Sequence, residues 1–173
     1  MLKDHIAASL EQAFSELGFV EPSVATLKEA CGVSLRTLYK HYPSKEEMIV
    51  AALEHRHQRY LAYLLEDSPK PSKDAVIHIF NKLKSWMQHN APNGCMSTNA
   101  LAAFPNHDVI NKTVKTHKED VRQFLGMQSF RPDLATQLFL LHEGVSSAWP
   151  VLGDEAIQSA HLAILTLLKE KQS

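Results

Sequence analysis

From His107 onward, Ile110, Val114, His117, Val121 and Phe124 follow one another at intervals of four, three, four and three residues. That is the period of one helix face and of no strand, so this stretch presents a single stripe to a partner. The same period runs through the rest of the chain. Ile6, Leu10, Ala13, Phe14 and Leu17 make a stripe before Gly18; Leu134, Leu138, Leu141, Val145 and Ala148 make one before Pro150; Ile157, Ala160, Ile164, Leu167 and Leu168 make the last. No segment alternates as a strand does, and no internal repeat occurs, which predicts an all-α chain.

Turn and cap residues divide these stripes into elements. Gly18 stops the first helix. Ser23 is the expected N-cap of a short second helix that ends at Gly32, and Ser34 opens a third that Pro43 stops. Ser44 caps a long fourth segment running to about Glu66, and "DSPKPSKD" excludes helix. The next helix spans 72–90 until "APNG" breaks it. "CMSTNALAAF" is a short piece ended by Pro105, and Gly126 is the expected stop of the 107–126 helix. The last two run from Pro132 to Trp149 and from Asp154, read as a cap, to Lys169. The expected division is residues 1–45 as an N-terminal head, a connecting helix over about 44–66, and 67–173 as a C-terminal bundle.

Composition narrows the function. A chain of 173 residues with 45% hydrophobic and 21% charged residues is that of an ordinary folded protein. No apolar run nears the roughly 20 residues of a spanning helix, and the N-terminus lacks a secretory signal, so the expected setting is cytoplasmic, with no membrane partner. Two cysteines, Cys31 and Cys95, are too few for a disulfide framework and read as buried free thiols. Of ten histidines none is three or four residues from another, so no helical metal pair is expected. No phosphate loop, "HExxH" or nucleophile elbow is present, and the reading is no enzyme, no cofactor and no metal.

The net charge of -1 hides a local excess. "GVSLRTLYKHYPSK", residues 32–45, holds Arg36, Lys40 and Lys45, and no acid lies between Glu29 and Glu46. Two short helices around Gly32 make a helix-turn-helix. With Ser34 as N-cap, Val33 and Leu38 occupy the two positions of a hydrophobic staple, and Tyr42 continues the buried side. Arg36, Thr37, Lys40 and His41 must then face outward. A basic outward face alone is usually just solvated; turn and staple favour DNA only together with the family resemblance of this run, given below. Arg36 can offer a bidentate donor fork to guanine, and Leu35 can touch a thymine methyl. Thr37 and His41 can reach bases or phosphates, and Ser23 and Thr26 can donate to the backbone.

"IAASLEQAFSELGF" followed by "SVATLKEACGVSLRTLYKHYPSKEEM" resembles the DNA-binding head of the tetracycline-repressor (TetR) family of transcriptional regulators. The resemblance covers the first third of the chain, and "NGCMSTNALAAF" with the long helix after it resembles the middle of many members. It departs at Lys28, where the family usually has a small alanine at the crossing of the two helices. The resemblance implies a homodimeric regulator, usually a repressor, whose palindromic double-stranded DNA operator is released by a small-molecule effector. It places Tyr39, Lys40 and Lys45 at phosphate-contacting positions, which set register rather than sequence. For the effector, Trp86, Met87, Phe104, Phe124, His142 and Trp149 are candidate lining, and Asn99 and His117 are candidate polar contacts, although aromatics at this spacing are more often plain core. A competing reading is a small-molecule-binding or interaction bundle whose head does not read DNA.

Overall fold

A computed structural model describes residues 1–92 and 94–169. The described residues contain helices and connecting turns and no strand. In chain order the helices are α1 Leu2–Leu17, α2 Val24–Cys31, α3 Leu35–His41, α4 Lys45–Leu65, α5 Lys73–Asn90, α6 Met96–Ala103, α7 Asp108–Gln128, α8 Ala135–Leu152 and α9 Asp154–Leu167. A 3₁₀ turn at Pro132–Leu134 precedes α8.

The chain forms two compact units, residues 1–60 with 96–117 and residues 61–95 with 118–173. These units follow different lines from the division expected at residue 67, because α6 and the first half of α7 join the head. The reason is apolar. Met96, Ala100, Ile110 and Val114 complete one buried cluster with Ile6, Leu10, Phe14, Leu27, Leu38, Met48, Ile49 and Leu53. In the second unit α5, α8 and α9 pack on one another, and Val76, Ile79, Phe80, Leu138, Val145, Ile157, Ala160 and Ile164 are all buried. Ala160, on the last of the sequence stripes, is therefore taken up by the protomer's own core.

Three serines start helices, Ser23 and Ser34 where the sequence places caps and Ser72 at the expected start of its helix. Ser23, Ser34 and Ser72 accept from the backbone N–H three residues ahead, at 3.1, 3.0 and 3.2 Å. Ser44 does the same for α4 through Glu47 N–H at 3.1 Å. Other stops differ from expectation. Pro150 does not end α8, which continues to Leu152 and stops at Gly153 with φ of 50°. A proline in the last turn costs only its own missing bond to a carbonyl one turn back, whereas the left-handed φ of Gly153 turns the chain. Gly153 also occupies the N-cap of α9, so Asp154 is the first helical residue and not the cap; its carboxylate accepts from Lys84 at 2.8 Å. Of the break at 91–94, Asn93 lies outside the described residues, as does 170–173 at the end of the chain.

Gly126 likewise does not end α7. The helix runs through it to Gln128, and the glycine is buried where the chain returns: an added Cβ would lie 2.8 Å from Ala135 Cβ and 3.4 Å from Pro132 Cα. An ordinary helical Gly→Ala change gains about 1 kcal/mol, but overpacking against an alanine and a backbone carbon costs about 1–3 kcal/mol. Gly126→Ala is therefore expected to lower the melting temperature, and a higher melting temperature would contradict this close approach.

Candidate nucleic-acid interface

The turn between α2 and α3 is made by the backbone. Gly32 adopts φ 64° and ψ 29°, a left-handed conformation that glycine takes without strain. Its N–H donates to Glu29 O at 3.0 Å, and Val33 N–H donates to Lys28 O at 3.4 Å. Lys28 is half-buried, so its stem is accommodated at the surface of the motif. Val33 packs against the core, Leu38 is fully buried and Tyr42 nearly so. The Tyr42 hydroxyl donates to Lys3 O at 3.4 Å, which ties the end of α3 to α1. The staple and buried side expected from sequence are present.

This packing decides what α3 shows to solvent. Leu35 is 46% and Tyr39 40% exposed, and Arg36 and Lys40 are exposed. Among the described residues, neither Arg36 nor Lys40 makes a side-chain hydrogen bond or ion pair. Two free cations and two large uncovered side chains on one seven-residue helix are poised for an anionic, partly apolar partner. Thr37 is half-buried, with its hydroxyl 2.8 Å from that of Ser34, so both hydroxyls are occupied at the cap. Ser23 and Thr26, both exposed, are paired alike at 2.9 Å. His41 is half-buried beside the Tyr42 ring. Lys45 differs from the other cations: its ammonium donates to Val20 O at 3.0 Å, holding the α1–α2 loop to the start of α4.

Behind this face lies a polar anchor that periodicity does not reveal. Glu11, 4% exposed on the buried side of α1, accepts from His55 Nδ1 at 2.6 Å, Arg56 Nη1 at 3.1 Å and Arg59 Nη2 at 2.6 Å. Burial pushes the Glu11 carboxyl up, but the hydrogen bonds from Arg59 and His55 and the charges of Arg59 and Arg56 outweigh it and hold the group below its ordinary value. The signal in the sequence is a carboxylate inside an apolar stripe. His117 is a second case: buried, it meets the Glu54 carboxylate at 2.8 Å through Nε2 and stacks on the His57 ring at 4.1 Å.

The candidate effector residues divide between the units. Trp86, Met87, Phe124, His142 and Trp149 are buried in the second. Asn99, Phe104 and His117 belong to the first, where Asn99 is exposed and Phe104 sits edge-on to Phe19. A cavity of about 530 Å³ in the first unit, lined by Ala7, Tyr42, Val50, Glu54 and Val109 among others, contains none of the eight. Among the described residues no group of three or more His, Cys, Asp or Glu is placed to hold a metal ion, and no helix is long and apolar enough to cross a membrane. One sequence reading needs correction: of the two cysteines expected to be buried, Cys31 is buried and Cys95 half-buried. Lys118 is half-buried and paired with Glu143 at 2.6 Å.

Residues 6–52 match the family model described as "Bacterial regulatory proteins, tetR family". No curated protein gives a significant match. Among solved structures, the chain is similar to a TetR-family transcriptional regulator from Streptomyces coelicolor, with TM-score 0.82 and 18% identity over 98% of this chain and 90% of that one. It is similar to the reduced form of NemR from Escherichia coli, with TM-score 0.81 and 20% identity over 99% of each chain. A TetR transcriptional regulator from Legionella pneumophila gives TM-score 0.75 and 20% identity over 95% of this chain and 96% of that one. At such identities the likeness is one of fold.

Proposed function

We propose that this chain, whose residues 6–52 match the tetR-family model and whose fold is that of TetR-family structures, is a DNA-binding transcriptional regulator of that family, a cytoplasmic repressor released from a palindromic operator by a small molecule. The observation that carries DNA readout is the uncovered, acid-free face of α3, with Arg36 and Lys40 unpaired beside Leu35 and Tyr39. Arg36 is the base reader, its fork matched to guanine O6 and N7. Leu35 contacts a thymine methyl. Ser23, Thr26, Ser34, Thr37, Tyr39, Lys40, His41 and Lys45 complete the interface, chiefly on phosphates.

Residues 1–45 then act as the DNA-binding domain, α4 as the connection, and 67–173 as the effector and dimerisation domain. Leu140 on α8 and Leu162 on α9 are 63% and 69% exposed, and pairing these helices with their copies would cover them in a two-fold dimer. Reading a palindrome with two α3 helices requires them about 34–36 Å apart, one turn of DNA. The effector is a small apolar or aromatic compound held among Trp86, Met87, Phe124, His142 and Trp149, a lining that suits such ligands.

Selection of bound fragments from a random duplex library tests this reading. Enrichment of a palindrome with half-sites one helical turn apart is the expected result. Salt-sensitive binding without enrichment would leave only phosphate attraction and overturn sequence-specific readout.

A further inference from the structure

The cavity of about 530 Å³ lies wholly within the first unit, apart from the candidate effector residues. Its volume is that of a small-molecule site. One wall is a single face of α4, where Glu47, Val50, Ala51 and Glu54 follow at helical spacing. Along that wall the chemistry runs carboxylate, two apolar side chains, carboxylate. Ala7 of α1, Tyr42 at the end of α3 and Val109 of α7 add apolar surface from three other elements.

Seven residues of helix set Glu47 and Glu54 about 10 Å apart along α4. Glu54 accepts from Gln58 Nε2 at 2.7 Å and from His117 Nε2 at 2.8 Å, which fixes its side chain. Burial pushes that carboxyl up, but the hydrogen bonds from His117 and Gln58 outweigh it and hold the group below its ordinary value. Glu47 is exposed, and among the described residues its side chain makes no hydrogen bond or ion pair. A third carboxylate of the lining, Asp4, is taken by the Met1 ammonium at 3.0 Å. Among the described lining residues Lys3 is the one lysine or arginine, and its ammonium stands 5.9 Å from the centre of the Tyr42 ring. The two histidines of the lining are placed elsewhere: His41 beside Tyr42, and His55 with Nδ1 2.6 Å from Glu11. Carboxylates therefore outnumber fixed cations around an apolar floor.

We propose that this cavity binds linear aliphatic amines with an ammonium at each end, one on Glu47 and one on Glu54, and the methylene chain laid over Val50, Ala51, Tyr42 and Val109. The charged ends stay in water while the chain leaves it, as a lysine stem does on a protein surface. An extended chain of about seven or eight methylenes spans the rise of about 10 Å between the two carboxylates. A shorter diamine reaches one of them, and a monoamine leaves one without a partner. A ligand seated here touches α1, α3, α4 and α7 at once and stabilises the folded head by mass action. None of this depends on whether α3 reads a specific operator.

Calorimetric titration of the full chain without DNA, at one low salt concentration, tests the site with terminal diaminobutane, terminal diaminooctane, octylamine and octanediol. Diaminooctane is expected to bind once per chain and to raise the melting temperature. Its affinity should exceed that of diaminobutane or octylamine about fivefold, the upper value for an exposed charge pair, and octanediol should not bind. Glu47→Gln is expected to bring diaminooctane down to the level of octylamine. Val109→Lys, which sets a competing ammonium in the cavity, should abolish binding. Both substituted side chains are exposed, so the variants keep the fold, and circular dichroism checks that they do. No saturable binding of diaminooctane, equal affinity for any of the other three compounds, or an affinity unchanged by either substitution would overturn the proposal.

Discussion

Glu11→Ala is expected to destabilise the protein by about 3–5 kcal/mol, the usual cost of removing one partner from a buried charge cluster. The penalty comes less from the lost bonds than from what remains. Arg56, with its side chain 9% exposed, loses the carboxylate that neutralises it, and Arg59 loses its 2.6 Å acceptor. Because three side chains of α4 converge on one residue of α1, the loss falls on the joint between the first helix and the connecting helix. Urea unfolding measures it: a midpoint shift equivalent to less than about 1 kcal/mol would mean the cluster is solvated like a surface pair. The pH dependence has a definite sign. A carboxyl lowered in the folded state contributes fully above its unfolded value of about 4.3 and loses that contribution as pH falls through the folded value. The wild type should therefore lose stability on acidification below pH about 4.3 more than Glu11→Ala does, and the two curves should converge at low pH.

Arg36→Ala is expected to weaken binding to the selected operator by about 1–3 kcal/mol and to relax preference at one base pair in each half-site. The argument rests on freedom and rigidity together. The guanidinium has no protein partner to surrender among the described residues, so a base contact costs no internal bond. The helix that carries it is fixed by the Ser34 cap and by buried Leu38, which limits the orientations the fork can sample. Repeating the duplex selection with the variant shows whether a single position loses its preference. Lys45 offers a contrast, since its ammonium is already bonded to Val20 O; Lys45→Ala should lower affinity for all duplexes alike.

What could be read from the sequence was what neighbours along the chain decide. The serine caps, the left-handed Gly32, the Val33–Leu38 staple and the stripe of α7 are each set within one or two turns, and the helices follow them. What could not be read depends on residues far apart. Gly126 carries a stop signal that helix packing against Ala135 overrides, and Pro150 falls too near the end of α8 to break it before Gly153 does. Glu11 went unread because its partners lie 44 to 48 residues away on another helix. The pairing of Lys118 with Glu143 is likewise made only by the fold, between residues 25 apart on two helices. The exposed Asn99 shows the reverse limit: a polar residue in an apolar run need not face inward.

The affinity of wild type and Arg36→Ala for the selected duplex, relative to a scrambled duplex of equal length at one fixed salt concentration, tests the central claim that the free face of α3 reads bases. Wild type should prefer the selected duplex strongly, and Arg36→Ala should lose about 1–3 kcal/mol of that preference while holding scrambled DNA almost as before. Equal losses on both duplexes would show that Arg36 meets only phosphate and would contradict base reading by this helix.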